Sequence, residues 1–155
     1  MRCSENATHC VGSSMGRAGD VPSSGMDEER DARGGRPRSF RDLRVWQEAI
    51  ALARDVLAAV ERLPVGHGAL GDQALRAATS VHANIAEGVG HHSTREFLRY
   101  LRIARASLAE LESHTAFLLA AALVPAVEAE AIETRRRHVQ RLLTGLVRSL
   151  ETPRT

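Results

Sequence analysis

The sequence predicts an all-α fold: an antiparallel, up-down-up-down four-helix bundle behind a disordered N-terminal tail. Three observations carry this expectation. Apolar residues recur at steps of three and four in successive stretches, the period of a helix with one buried face. Gly and Pro cluster where those stretches end. The composition is 43% hydrophobic but only 3% aromatic, so the core must be aliphatic. At 155 residues one domain is expected, and a bundle of this size buries roughly two-thirds of its unfolded surface, enough to fold without metal or disulfide.

Residues 1–38 are a different material. They hold half the glycines, five serines, both cysteines, and six Arg against six acidic residues, with no apolar periodicity. Such a segment cannot offset its ordering entropy, so it reads as a tail separate from a bundle over 39–151. Met26 opens the polar segment that leads to the first helix and is an alternative start to Met1. Cys3, His9 and Cys10 lack a zinc spacing. The tail carries no secretory apolar stretch. The longest apolar run, Ala116 to Val124, is nine residues, against the roughly 20 needed to span a membrane. A cytoplasmic chain without metal or cofactor is expected.

The first helix is expected from Ser39 to Leu63. Ser39 can cap it, and Asp42 in its first turn suits the helix dipole. Its core stripe would be Leu43, Trp46, Ile50, Ala53, Leu57 and Val60, with Trp46 a packing anchor. Pro64, Gly66 and Gly68 make the first corner. In the second helix Leu70, Ala74, Val81 and Ile85, filled in by Ala77 and Ala78, form the apolar stripe. Gly88 and Gly90 then look like its C-terminal stop.

Ser93 and Glu96 match a capping box at the start of the third helix. Phe97, Leu101, Ala104, Leu108, Leu111, Thr115, Leu118 and Ala122 follow as a narrow seam of bundle type. The fourth helix is expected over 125–150, with Pro125 suited to its first turn. Ile132, Val139, Leu143, Leu146 and Leu150 face inward. Gly145 is a weak point there of roughly 1 kcal/mol against Ala, unless a neighbour packs on it.

Beside the apolar stripe of the second helix runs a polar one: Gln73, Arg76, Ser80, Asn84 and Glu87. With Glu110 of the third helix, Gln73, Arg76, Asn84 and Glu87 form a structural polar set expected to bond across helices and fix their register. A ligand pocket lined by Asn84 and Glu87 is the other reading.

Several of these stretches resemble one family. Gln73, Arg76-Ala77-Ala78, Ser80-Val81-His82-Ala83-Asn84-Ile85-Ala86-Glu87-Gly88, Ile103-Ala104 and Glu110-Leu111 are similar to the four-helix-bundle proteins of 23S rRNA intervening sequences. Phe40-Arg41-Asp42-Leu43 and Val45-Trp46-Gln47 match how such chains open. The resemblance spans about residues 40–150, and His82, Ala106 and Thr115 depart from the usual pattern in packing detail. It implies an antiparallel bundle that assembles as a homopentamer, and it passes on no settled biochemical role. The small residues Ala106, Ala109 and Ser113 on the third helix would let a second copy approach closely.

Catalytic constellations are missing from the sequence. The glycines precede no strand, so no phosphate loop forms. Glu110 and His114 are spaced (i, i+4), whereas a di-metal bundle needs Glu-x-x-His. The adjacent His91 and His92 diverge in a corner, and Ser107 and Ser113 lack an identifiable base. The chain is therefore expected not to be an enzyme.

The basic residues give the one positive lead. All 21 are Arg, a bias that a GC-rich genome explains, and a net charge of +2 argues for no partner by itself. Arg95, Arg99 and Arg102 recur at (i, i+4, i+7) on the outer side of the third helix, and Arg135, Arg136, Arg137 and Arg141 crowd the fourth. Arg forks fit phosphates, which makes Arg95, Arg99, Arg102, Arg136 and Arg137 the candidate nucleic-acid contacts. Solvated faces, with Glu128, Glu130 and Glu133 as ion-pair partners, are the alternative. Two functions stay open: an oligomeric accessory protein on RNA or DNA, or a protein-interaction scaffold for a polymerase or reverse transcriptase.

Overall fold

The computed structural model describes residues 37–152. Most of the expected tail, with Cys3, His9, Cys10 and Met26, lies outside them. A 3-10 turn, Phe40–Asp42, precedes four helices: α1 (Arg44–Val60), α2 (Gly68–Gly90), α3 (Thr94–Ala120) and α4 (Ala126–Glu151). No strand occurs among the described residues.

Ser39 does cap, but it caps the 3-10 turn, accepting from the Arg41 N–H at 3.2 Å. Gln47 ties the turn down by donating to the Arg41 carbonyl at 2.8 Å. Leu43 is extended, so α1 starts only at Arg44. The core face of α1 also differs from the expected one. Val45, Ala49, Leu52, Ala53, Val56 and Ala59 are buried, while Leu57 is 40% exposed and Trp46 and Ile50 lie at the flank. Twelve of the seventeen positions of α1 are apolar, so two adjacent stripes satisfy the helical period. The stripe of smaller side chains took the close contact.

α2 shows the same preference. Gly71, not Leu70, is buried, and a Cβ there would sit 2.6 Å from both Leu63 and Val60 side-chain atoms. Gly88 does not stop the helix, which continues to Gly90. It is buried inside the last turns, where a Cβ would meet Phe97 at 2.7 Å and the Tyr100 Cβ at 2.9 Å. Gly88 is therefore a close-approach glycine.

The seam of α3 holds from Phe97 to Leu118, with Thr115 buried in it. Ala122 falls outside: the helix ends at Ala120, and Ala122 takes the left-handed conformation with φ 55°. Its N–H donates to the Leu119 carbonyl and that of Leu123 to the Leu118 carbonyl, both at 2.9 Å. This pair of bonds is a Schellman stop, here built on Ala where Gly is usual. The capping box does not form either. Ser93 is the N-cap residue without a side-chain bond, and Glu96 pairs with Arg99 instead at 3.3 Å. In α4, Pro125 is the cap itself, and Leu146 and Leu150 are only half-buried.

Cross-helix contacts set the topology. Ser80 meets Ser107 and Gly88 meets Phe97, so α2 and α3 are antiparallel. Glu112 meets Arg136 and Arg102 meets Glu151, so α3 and α4 are too. Arg62 meets Glu128 while Arg135 meets Asp55 and Glu48, which closes α4 on α1 in the same sense. The core between them is mostly aliphatic. Phe97 is its largest fully buried side chain, with Leu52, Ile85, Leu101, Leu108, Leu111 and Leu143 next in size.

Two glycines give opposite expectations. Gly88→Ala must displace Phe97 or Tyr100 and should cost about 1–3 kcal/mol. The space around Gly145 is open, with nothing packed within 4 Å of where a Cβ would stand, so Gly145→Ala should stabilise by about 0.5–1 kcal/mol. Thermal melting of both variants at one protein concentration checks this; a shift of the same sign in both would contradict it.

Candidate nucleic-acid interface

Three consecutive arginines of α4 point three ways, because neighbouring residues on a helix stand about 100° apart. Arg135 reaches α1, where it donates to Asp55 and Glu48. Arg136 turns inward against α3. Its Nε and Nη2 donate to the two Glu133 oxygens at 2.6 and 2.7 Å, and its Nη1 to Gln140 at 2.6 Å. Nη2 also lies 3.2 Å from Glu112 of α3. With a side chain only 5% exposed, Arg136 is part of the α3–α4 contact. The expectation that it belongs to an exposed patch is corrected. Arg137 does face outward, donating to Glu130 at 2.8 Å.

The α3 arginines differ in kind. Arg99 and Arg102 keep more than half their side chains exposed, each held by one carboxylate at 3.3 Å: Glu96 and Glu151 respectively. Arg95 and Arg105 are exposed and have no carboxylate partner among the described residues. Arg105 lies one turn from Arg102 and two turns from Glu112, on the flank of α3 that meets α4. Across that contact an open groove runs along α4, lined by Arg137, Gln140, Arg141, Thr144 and Arg148. Arg95, Arg99, Arg102, Arg105, Arg141 and Arg148 thus edge one side of the bundle, opposed there by Glu96 and Glu151. Sequence reasoning passed over Arg105 and Arg148; their spacing from Arg102 and Arg141 was the available signal.

The polar stripe of α2 separates into parts. Ser80 and Ser107 bond across α2 and α3 at 2.8 Å, with Ser107 also donating to the Ile103 carbonyl. Asn84 donates along its own helix to the Ser80 carbonyl and hydroxyl at 2.8 and 3.0 Å. Glu87 reaches Tyr100 of α3, and hydrogen bonding to that carboxylate pushes the phenol above its ordinary range, keeping it a neutral donor. Gln73 and Arg76 are exposed, and Glu110 lies 3.7 Å from His114 on its own helix. The groove along α4 and a second one at the Pro64 and Pro125 corners include neither Asn84 nor Glu87. Ser113 and His92 are exposed, while His91 stacks on Tyr100. Among the described residues no three His, Cys, Asp or Glu side chains gather as a metal site, and no helix is long and apolar enough to cross a membrane.

These features define an all-α bundle with an arginine-edged outer surface. The chain belongs to the 23S rRNA-intervening sequence protein family, whose model matches residues 41–145. A crystal structure of similar fold is that of a protein of unknown function from the S23 ribosomal protein family of Bacteroides thetaiotaomicron. It is 23% identical with a TM-score of 0.62, and the match covers 66% of this chain and 97% of that one. No curated protein matches the chain.

Bonding to Arg136 holds Glu133 below the ordinary carboxylate range. A carboxylate depressed by folding stabilises the native state above its unfolded value, near 4.5, and that contribution is lost as pH falls through the lower folded value. Wild type should therefore lose stability below about pH 4.5 more steeply than Glu133→Gln, which should be the weaker of the two at neutral pH. Arg136→Gln should cost about 1–3 kcal/mol, because it leaves half-buried Glu133 with only the longer Arg137 contact at 3.6 Å. Denaturant unfolding at several pH values measures both effects, and parallel wild-type and Glu133→Gln curves would exclude the assignment.

Proposed function

We propose that this chain is a non-enzymatic, homo-oligomeric bundle that binds RNA or DNA phosphates through its arginine-edged α3–α4 side. One observation supports this above the others: Arg95, Arg99, Arg102 and Arg105 are exposed on one half of α3, two of them without a carboxylate partner among the described residues. The two pairs that do exist, Arg99–Glu96 and Arg102–Glu151, are single contacts at 3.3 Å. Exposed pairs of this kind are worth about 0–1 kcal/mol, so a phosphate can take the guanidinium over at little cost. The family description, which names a 23S rRNA element, agrees with an RNA partner. A second reading, a scaffold for a polymerase or reverse transcriptase, draws on exposed apolar side chains at the far end of the bundle: Phe117, Leu119 and Val127.

Binding should be tolerant of sequence and should weaken as salt rises, with a slope set by the number of phosphates neutralised. Replacing Arg95, Arg99 and Arg102 together by Gln should flatten that slope and leave the melting temperature nearly unchanged. Wild type that binds neither RNA nor DNA at low salt would leave the scaffold reading standing. An oligomer repeats the patch around a symmetry axis, and light scattering at micromolar concentration should give several chain masses, five by family resemblance. A monomer mass would remove the multiplied patch.

A further inference from the structure

The corner between α2 and α3 holds two ring side chains, His91 and Tyr100, that phosphate binding leaves unused. The His91 ring lies on the Tyr100 ring with centroids 4.8 Å apart and planes 16° from parallel. The Arg99 guanidinium stands 5.4 Å from the centroid of the same Tyr100 ring. Gly88 permits this approach, since a Cβ there would lie 2.9 Å from the Tyr100 Cβ. Glu87 approaches the phenol from α2, and the ring packs at its base on Gly88 and at its face on His91. His91 is half-buried, and Gly90 and His92 beside it are exposed. The other aromatic pair among the described residues, Phe40 and Trp46, is tilted by 57° and belongs to the N-terminal turn.

We infer that the His91–Tyr100 stack is a base-stacking subsite for single-stranded nucleic acid, with Arg99 taking a flanking phosphate. The inference rests on the phosphate-binding reading above and narrows it to strands with unpaired bases. A flat ring pair offers the same π-face to any base, which suits a site without sequence preference. Bases in a duplex are already stacked and paired, so only a splayed or single-stranded base can lie on the corner. Arg99 stands 5.4 Å from the Tyr100 ring centroid, which puts one cationic group and the ring pair within reach of one short stretch of strand. Of the carboxylates near the site, Glu87 is turned to Tyr100.

The test uses the full chain and a short oligouridylate carrying one 2-aminopurine, as a single strand and annealed to its complement. Wild type should bind the single strand more tightly than the duplex and change the 2-aminopurine emission. His91→Ala, at an exposed corner, should lower single-strand affinity about fivefold or more and leave duplex affinity as it was. Tyr100→Phe, which keeps the ring, should retain the preference. Equal affinity for both forms in wild type, or an equal loss for both in His91→Ala, overturns the stacking subsite while phosphate binding survives. Absence of any binding at low salt removes both. Should His91→Ala fail to fold, the wild-type preference and the emission change decide the matter alone.

Discussion

The close approach of α2 to α3 is the constraint on which the rest of this bundle depends. Five of the seven buried α2 positions are Ala or Gly: Gly71, Ala74, Ala77, Ala78 and Gly88. Little side-chain volume stands between the two backbones, so the larger residues of α3, from Phe97 to Leu111, fill the space. Only at that spacing can two hydroxyls as short as Ser80 and Ser107 meet at 2.8 Å. The bond satisfies both groups, each of which would otherwise lose its water for nothing. The same approach seats Tyr100 over Gly88 and brings it to Glu87. The geometry of the corner is thus a consequence of core packing.

How far the sequence disclosed this depended on whether its patterns were unique. The α3 seam was legible because polar residues flank it on both sides, leaving one stripe of apolar ones. The α1 face was not, because Ala and Val run beside Leu and Ile along the whole helix. Reading the larger residues as core favoured hydrophobicity over fit, and fit decided. The same error placed Leu70 inside and treated Gly88 as punctuation. A glycine near a helix end serves equally well as a stop or as a contact, and only the partner helix tells which. Ser93 and Glu96 had the spacing of a cap, but Arg99 gave Glu96 a nearer charge to bond.

Arg136 is a different kind of miss. Ile132, Arg136, Val139 and Leu143 advance by four, three and four, the step of the seam itself, so its inward position was written in the spacing. Its charge argued for the surface, and that argument failed because α3 and α4 supply every acceptor its fork needs. Glu133, Gln140 and Glu112 surround it. A buried guanidinium with fewer partners would have been too costly to keep. The burial of an arginine can thus be read from a seam position together with acidic or amide residues three or four places away on the same helix.

This division among the arginines also bears on which of them a phosphate could recruit. Composition makes every cation in the chain an Arg, so residue type carries no information about role. Partner number does. Arg136 would have to abandon bonds to Glu133 and Gln140 from a site closed to water, at a cost that a surface phosphate does not return. Arg135 bridges two carboxylates of α1, and its release would open the α1–α4 contact. Arg99 and Arg102 each give up one long, hydrated contact, and Arg95 and Arg105 give up none. The electrostatically useful surface is therefore much smaller than the arginine count, and it lies on α3 and the outer edge of α4. A patch of that size would hold a strand weakly by itself. Repetition of it around a symmetric assembly would let one strand touch several copies, and the second contact then forms at the high effective concentration set by the first. For a bundle of nearly neutral net charge, local concentration of exposed arginines, and not overall charge, decides whether nucleic acid is held.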